Sequence, residues 1–325
     1  LKKIYSLLFV LLLSIFVAAG CGAADKEEVK GNDQTAKTEQ TENQAFPVTI
    51  KDAAEQKVVI DQKPEKIVSL IPSNTEIAFA LGLGEHIVGV TDYDNYPKEV
   101  AKKEKVGGME FNIEKIISLK PDLVLGFGGQ AMGSSTEGLQ QLRDAGITVL
   151  VVNDATSFAD VYKAINMVGT ATGTKKEADT IVADMKAKIA KVKEKAAGIK
   201  EEDKKRVYIE VYPGPGGINS AGTNTFMNEM LKIINAENVV KEEGWPTISE
   251  EAIIAENPDV ILTTYGYYTE DPAGVISSRE GWQELDAVKN KHIVDVDSDT
   301  VTRSGPRLAE GVEEVAKAVY PEVFK

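Results

Sequence analysis

From Phe46 onward, short apolar runs alternate with amphipathic stretches, and the period of the apolar positions changes from about two to about three and a half between them. This alternation predicts strands at 66–70, 87–90, 122–126 and 147–152, with helices between them. The same grammar returns at 206–211, 260–264 and 292–296, and a last helix is expected over 306–319. Between the two series, residues 174–200 place Ala178, Ile181, Met185, Ile189 and Val192 three or four apart among charged residues, which is the stripe of one long amphipathic helix. Strands alternating with helices predict an α/β fold with parallel pairing, built as two halves joined by that helix.

The halves also resemble each other. IEKIISLKPDLVL, 113–125, aligns with EEAIIAENPDVIL, 250–262, at a constant offset of 137. Glu114 falls on Glu251, Ile116 on Ile253, Pro121 on Pro258 and Asp122 on Asp259. Each copy has the pattern of a helix stopped at Pro-Asp before a buried strand. A weaker pair in the same order aligns Asn74-Thr75 with Asn224-Thr225, and the recurrence predicts two similar Rossmann-like lobes with a ligand cleft between them.

The first forty-five residues follow a different pattern. Residues 1–20 open with Lys2 and Lys3, run through an apolar stretch and close on small residues before Cys21, the anatomy of a secretion leader. Val17-Ala18-Ala19-Gly20-Cys21 resembles a bacterial lipobox, which implies cleavage before Cys21, a diacylglycerol thioether on its sulfur and an acyl chain such as palmitate on its amine. Residues 22–45 contain too little apolar mass to order themselves and predict a tether of roughly 25–30 Å. The expected organisation is a signal peptide at 1–20, lipidated Cys21 and linker at 21–45, an N-terminal lobe at 46–173, the connecting helix at 174–200 and a C-terminal lobe at 201–325.

Charge narrows the function. The chain has 37 Lys+Arg against 51 Asp+Glu, a net charge of −14, so it lacks the basic footprint that nucleic-acid binding needs. With one Cys and two His, neither an internal disulfide nor a thiolate or tri-histidine metal site can be assembled, and no metal or cofactor is expected. An enzyme is the rival class, but Gly126–Ala131 misses the dinucleotide-loop spacing and Gly214-Pro215-Gly216-Gly217 lacks the Gly-Lys-Ser/Thr ending of a phosphate loop. No Ser-His-Asp or Cys-His order is visible.

Several segments carry a more specific likeness: 69–76 (SLIPSNTE), Leu81-Gly82, 88–93 (VGVTDY), Tyr96-Pro97, 119–124 (LKPDLV), Gly244-Trp245-Pro246, Ser249 to Glu251, and 303–307 (RSGPR). In this order they resemble the helix-linked (class III) solute-binding lipoproteins of ABC importers for cobalamin, ferric siderophores and haem, nearest to the vitamin B12-binding branch. The resemblance implies a lipid-anchored monomer on the extracytoplasmic face of the cell membrane. Such a protein captures a small molecule without chemistry and delivers it to a permease dimer driven by ATPase subunits.

It also implies site residues. Glu76 and Glu251 match positions where the family presents one exposed carboxylate per lobe to permease arginines, and both also have the spacing of helix caps, Ser73-x-x-Glu76 being a capping box. Tyr93 and Trp245 match ligand-contacting aromatics of the cobalamin branch, whereas Met109 or Phe111, Phe127 and Thr300 stand where that branch carries tryptophan. Tyr212, Tyr265, Tyr267 and Tyr268 add flat apolar faces near strand ends, suited to a large neutral ring system. Trp282 is expected in the core. There are only five arginines; Arg303 is the candidate polar contact to ligand amides or phosphate, and Arg307 a candidate structural ion pair. Cobalamin or a related corrinoid is the expected ligand, with a ferric hydroxamate siderophore as the alternative and haem a minor one.

Overall fold

A computed structural model describes residues 46–128, 136–214 and 217–325; the leader, Cys21, the linker and parts of both glycine-rich turns lie outside the described residues. An antiparallel hairpin, β1 (Val48–Lys51) and β2 (Lys57–Ile60), precedes the first lobe. There β3 (Ile67–Ser69), α1 (Pro72–Ala80), β4 (Ile87–Val90), β5 (Glu104–Lys105), α2 (Ile113–Leu119), β6 (Leu123–Phe127), α3 (Thr136–Asp144) and β7 (Thr148–Val152) follow in turn. The five strands pair in parallel in the order β5-β4-β3-β6-β7, so the chain winds outward in both directions from β3. Buried Ile, Val and Leu at nearly every position of β3 and β6 reflect a sheet covered on both faces.

Helix α4 (Phe158–Thr172) is capped by Ser157, whose hydroxyl accepts from the Asp160 amide, and stops at Gly173 with φ 71°, a left-handed conformation that glycine adopts without steric cost. Then comes α5 (Lys175–Ala196), 22 residues and about 33 Å long. It ends one turn before the expected boundary, at Gly198 and a short 3₁₀ turn. Ala178, Val182, Met185 and Val192 form its buried stripe.

The second lobe contains β8 (Arg206–Gly214), β9 (Gly217–Ser220), α6 (Phe226–Ile233), β10 (Glu237–Asn238), β11 (Thr247–Ile248), α7 (Glu250–Glu256), β12 (Val260–Thr263), α8 (Pro272–Ser277), α9 (Asp286–Lys289), β13 (Ile293–Asp295), α10 (Ser298–Thr302) and α11 (Leu308–Val319). Strands β10, β8, β12 and β13 are parallel, while β9 and β11 extend the sheet antiparallel beyond the far half of β8. The two-residue strands β5, β10 and β11 are too short to show a period in sequence.

The repeat holds in detail. Helices α2 and α7 begin and end 137 residues apart, and so do their N-caps, Asn112 and Ser249, whose side chains accept from Lys115 N and Ala252 N. Their C-caps, Lys120 (φ 50°) and Asn257 (φ 41°), are both left-handed. The aspartates that follow do the same work: Asp122 accepts from Lys66 N and Asp259 from Arg206 N, each tying its helix-to-strand turn to the first strand of its lobe.

One continuous apolar core includes Ile67, Leu125 and Val152 of the first lobe, Met185 and Val192 of α5, and Val207, Leu262 and Val312 of the second. A shared core makes the connection stiff, because reorienting the lobes would expose part of it. Among the described residues no helix is long and apolar enough to cross a membrane.

Candidate functional site

In parallel sheets the ligand crevice lies outside the carboxyl ends of the strands, where loops leave the ladder. Every aromatic candidate stands at such an end. Tyr93 lies in the 91–97 loop after β4, Met109 in the 106–112 loop after β5, and Phe127 at the end of β6. In the second lobe Tyr212 sits on the part of β8 beyond its parallel partners, Trp245 in the segment after β10, and Tyr265, Tyr267 and Tyr268 after β12. The two sets of loops meet at one edge, where Asn95 Nδ2 donates to Asp299 of α10 at 2.7 Å.

The Tyr93 loop is built to hold its shape. Thr91 donates from both its amide and its hydroxyl to Asp94 Oδ2, at 2.7 and 2.6 Å, and Lys105 Nζ donates to the carbonyls of Thr91 and Asp94. Burial raises the Asp94 pKa against the lowering pull of these hydrogen bonds, and its Oδ1 has no partner. The Tyr93 ring lies on Gly108, where a Cβ would come within 3.1 Å of the phenol oxygen, so a glycine lets the two loops stack. Tyr93 and Met109 remain about half exposed.

On the opposite rim, Trp245 is 48% exposed and held edge-on by Phe226 with ring centroids 5.7 Å apart. Tyr268 packs against Tyr267, Tyr265 and Tyr212 at 4.7, 5.8 and 6.3 Å. Desolvation first, then the neighbouring tyrosines, push its phenol up to about 12, so it stays neutral. Tyr267, at 78%, is the most exposed aromatic of this wall.

Tyr265 does not line the cleft: it is fully buried, and its hydroxyl donates to Glu210 at 2.6 Å. Glu210 is gripped by Arg279 through Nη1 and Nη2 at 2.7 and 2.6 Å. Burial works against the Arg279 charge, but the bonds to Glu210 outweigh it and raise its pKa; the guanidinium also stacks over Trp282 at 4.7 Å. Tyr265 therefore satisfies a buried carboxylate, as a buried ion needs. Trp282 is wholly buried, in the core.

Glu76 is likewise not an exposed carboxylate. It is 2% exposed and accepts from Arg303 Nη1 at 3.0 Å and from Arg307 Nε and Nη2 at 2.9 and 2.7 Å. Nor does Ser73 cap α1: the N-cap is Ile71 with no side-chain bond, and Pro72 opens the helix. Residues Pro72 to Ala78 of α1 are all buried, so a carboxylate in its second turn needs guanidinium partners. Arg303 is engaged in this pairing and in bonds to Asn95 and Asp299, at 2.6 and 2.7 Å, in place of the expected polar contact to a ligand. Thr300, by the same strand end, points its hydroxyl to Glu314 at 2.7 Å.

Glu251, by contrast, is exposed in the first turn of α7, and Glu114 is exposed at the matching position of α2. The offset of 137 is the sequence signal that pairs Glu114, and not Glu76, with Glu251. Among the described residues no group of three or more His, Cys, Asp or Glu could hold a metal ion. His86 and His292 instead meet the backbone carbonyls of Glu65 and Ala318.

The sequence profile of the periplasmic binding protein family matches residues 67–300, from the first strand of the first lobe to α10. The chain belongs to that family. It is a solute-binding protein and not an enzyme. This periplasmic binding protein is 50% identical over 327 residues to the ABC transporter substrate-binding lipoprotein YvrC of Bacillus subtilis, covering 100% of both chains. It is 27% identical over 285 residues to a cobalamin-binding protein of Halobacterium salinarum, covering 85% of this chain and 75% of that one. Among solved structures, a possible iron-binding (periplasmic solute-binding) protein from Staphylococcus epidermidis superposes with a TM-score of 0.72 at 38% identity, over 80% of this chain and 100% of the other.

Proposed function

We propose that this protein is the substrate-binding lipoprotein of an ABC importer, anchored through Cys21 to the extracytoplasmic face of the cell membrane, and that it captures cobalamin or a related corrinoid. The observation that carries the ligand reading is the state of the arginines. All five are within 4.0 Å of a carboxylate of this chain: Arg143 with Asp52, Arg206 with Glu256, Arg279 with Glu210, and Arg303 and Arg307 with Glu76. Arg206, Arg279, Arg303 and Arg307 are committed to hydrogen-bonded pairs and Arg143 is largely buried beside Asp52, while both rims present neutral aromatic faces. A large ring system with little net charge fits that surface. Its relative in Halobacterium salinarum carries the description cobalamin-binding, which supports the same reading.

Docking to the permease falls to Glu114 and Glu251. They are exposed, related by the internal repeat, and carried on equivalent helix N-termini of the two lobes, so each lobe offers one carboxylate to a two-fold partner with paired arginines. The buried Glu76 is replaced in that role by Glu114.

Fluorescence tests the ligand reading directly, because Trp282 is buried and Trp245 exposed. Saturable quenching by cyanocobalamin, lost in Trp245→Phe, is the expected result; quenching by a ferric hydroxamate alone would replace corrinoid with siderophore. A specific observation favours that second reading: Met109, Phe127 and Thr300 leave the cleft without the extra tryptophans, and the Staphylococcus epidermidis structure is described as possibly iron-binding.

A further inference from the structure

The geometry points to Glu76 as the residue that sets the aperture of the cleft, clasping the two lobes through Arg303 and Arg307. Glu76 belongs to the first lobe and both arginines to the second, so its three hydrogen bonds all cross between lobes. The clasp continues outward: Arg303 binds Asn95 and Asp299, and Asn95 in turn donates to Asp299. Tyr96 closes it from the side, its ring 4.0 Å from the Arg307 guanidinium. Both elements that it joins belong to the cleft rim, for Tyr93 lies two residues before Asn95 and α10 follows the carboxyl end of β13.

The clasp sits at the border of the shared core, since Ile77, Val301 and Leu308 beside its residues belong to it. Behind it, a cavity of about 490 Å³ lined by Phe79, Tyr96, Met185, Lys188 and Arg307 separates it from the connecting helix. To the packing of the shared core the clasp adds charge-assisted hydrogen bonds of defined length between the lobes. Opening the edge would part a buried carboxylate from both of its guanidinium partners and leave three ions unpaired together. Glu76 is therefore a positioning residue: it holds the Tyr93 loop at a fixed distance from α10, and the ligand meets a preformed opening.

The inference rests on the capture reading only for its effect on binding; the lobe geometry can be measured without ligand. Spin labels at Lys102→Cys and Glu280→Cys, in the full chain with Cys21→Ser, report the distance between lobes by pulsed electron resonance. A single narrow distribution is expected, longer and broader in Glu76→Gln, less so in Glu76→Asp, and modestly broadened in Asn95→Ala. A folded Glu76→Gln with the parent distribution would overturn the clasp. If Glu76→Gln does not fold, Asn95→Ala decides, since it removes only exposed bonds, and an unchanged distribution there overturns the clasp equally. With cyanocobalamin as the probe, dissociation from Glu76→Gln should quicken about tenfold with association little changed. A parent protein that ignores cyanocobalamin would defeat the corrinoid reading and leave the distance test standing.

Discussion

Trp282 donates its indole N–H to Glu250 at 2.9 Å, which holds down the first of two adjacent glutamates and leaves Glu251 exposed at the start of α7. The pair shows how one helix end divides its acids between structure and surface. In the repeat, Glu250 corresponds to Ile113, so the first lobe presents a single acid, Glu114, at the matching place.

Removing both exposed carboxylates separates docking from capture. Glu114→Ala with Glu251→Ala should cut uptake in cells about tenfold or more, while ligand affinity in vitro stays within about twofold, because charges at the edge of an interface set partner recognition. An equal loss of affinity would return these glutamates to a structural role.

The fold was largely legible because its signals are local. Strand β4 falls on its expected residues, α11 ends where expected, and the Pro-Asp turns mark the repeat before any coordinates are considered. The roles of Glu76, Arg303 and Tyr265 were not legible, because each depends on a partner distant in sequence: 227 positions separate Glu76 from Arg303 and 55 separate Tyr265 from Glu210. The spacing Ser73-x-x-Glu76 fits a capping box, yet the helix starts two positions earlier, with Ile71 as N-cap and Pro72 first, and Glu76 pairs with the second lobe. Long-range pairing of a buried charge leaves no periodic trace.

Glu210 and Arg279 form a buried pair that supports the tyrosine wall from behind. Arg279→Ala leaves the carboxylate with Tyr265 alone and should lower stability by about 3–5 kcal/mol, measured by urea unfolding. Tyr265→Phe removes one of the three hydrogen bonds to Glu210 and should cost about 1–3 kcal/mol.

The exposed aromatics should behave in the opposite way. Trp245→Ala and Tyr93→Ala are expected to weaken ligand binding by about 1–3 kcal/mol each, in equilibrium titrations, with little change in the unfolding midpoint. Tyr265→Phe should do the reverse, destabilising the protein while sparing affinity. A loss of affinity in Tyr265→Phe equal to that in Trp245→Ala would contradict the division between wall and support.

Asp94 supplies a pH dependence of known sign. Burial raises its folded pKa above the ordinary 3.8, so between that value and the raised one the folded chain binds more protons than the unfolded chain. Stability contributed by this group therefore increases as pH falls through the window and is lost as pH rises. Asp94→Asn should remove that component, so its unfolding midpoint, compared with the parent, gains on it as pH rises through the window. A constant difference across the range would show that the Asp94 carboxyl is not strained by burial.

Calorimetric titration of the protein from Cys21 onward, with cyanocobalamin, a ferric hydroxamate, a ferric catecholate and haemin in parallel, tests the central claim most directly. Saturable one-to-one binding of cyanocobalamin, without binding of the anionic catecholate, is the result predicted by a cleft of neutral aromatics in which Arg303 is paired with Glu76. Binding of an iron chelate in place of cyanocobalamin would contradict the corrinoid assignment.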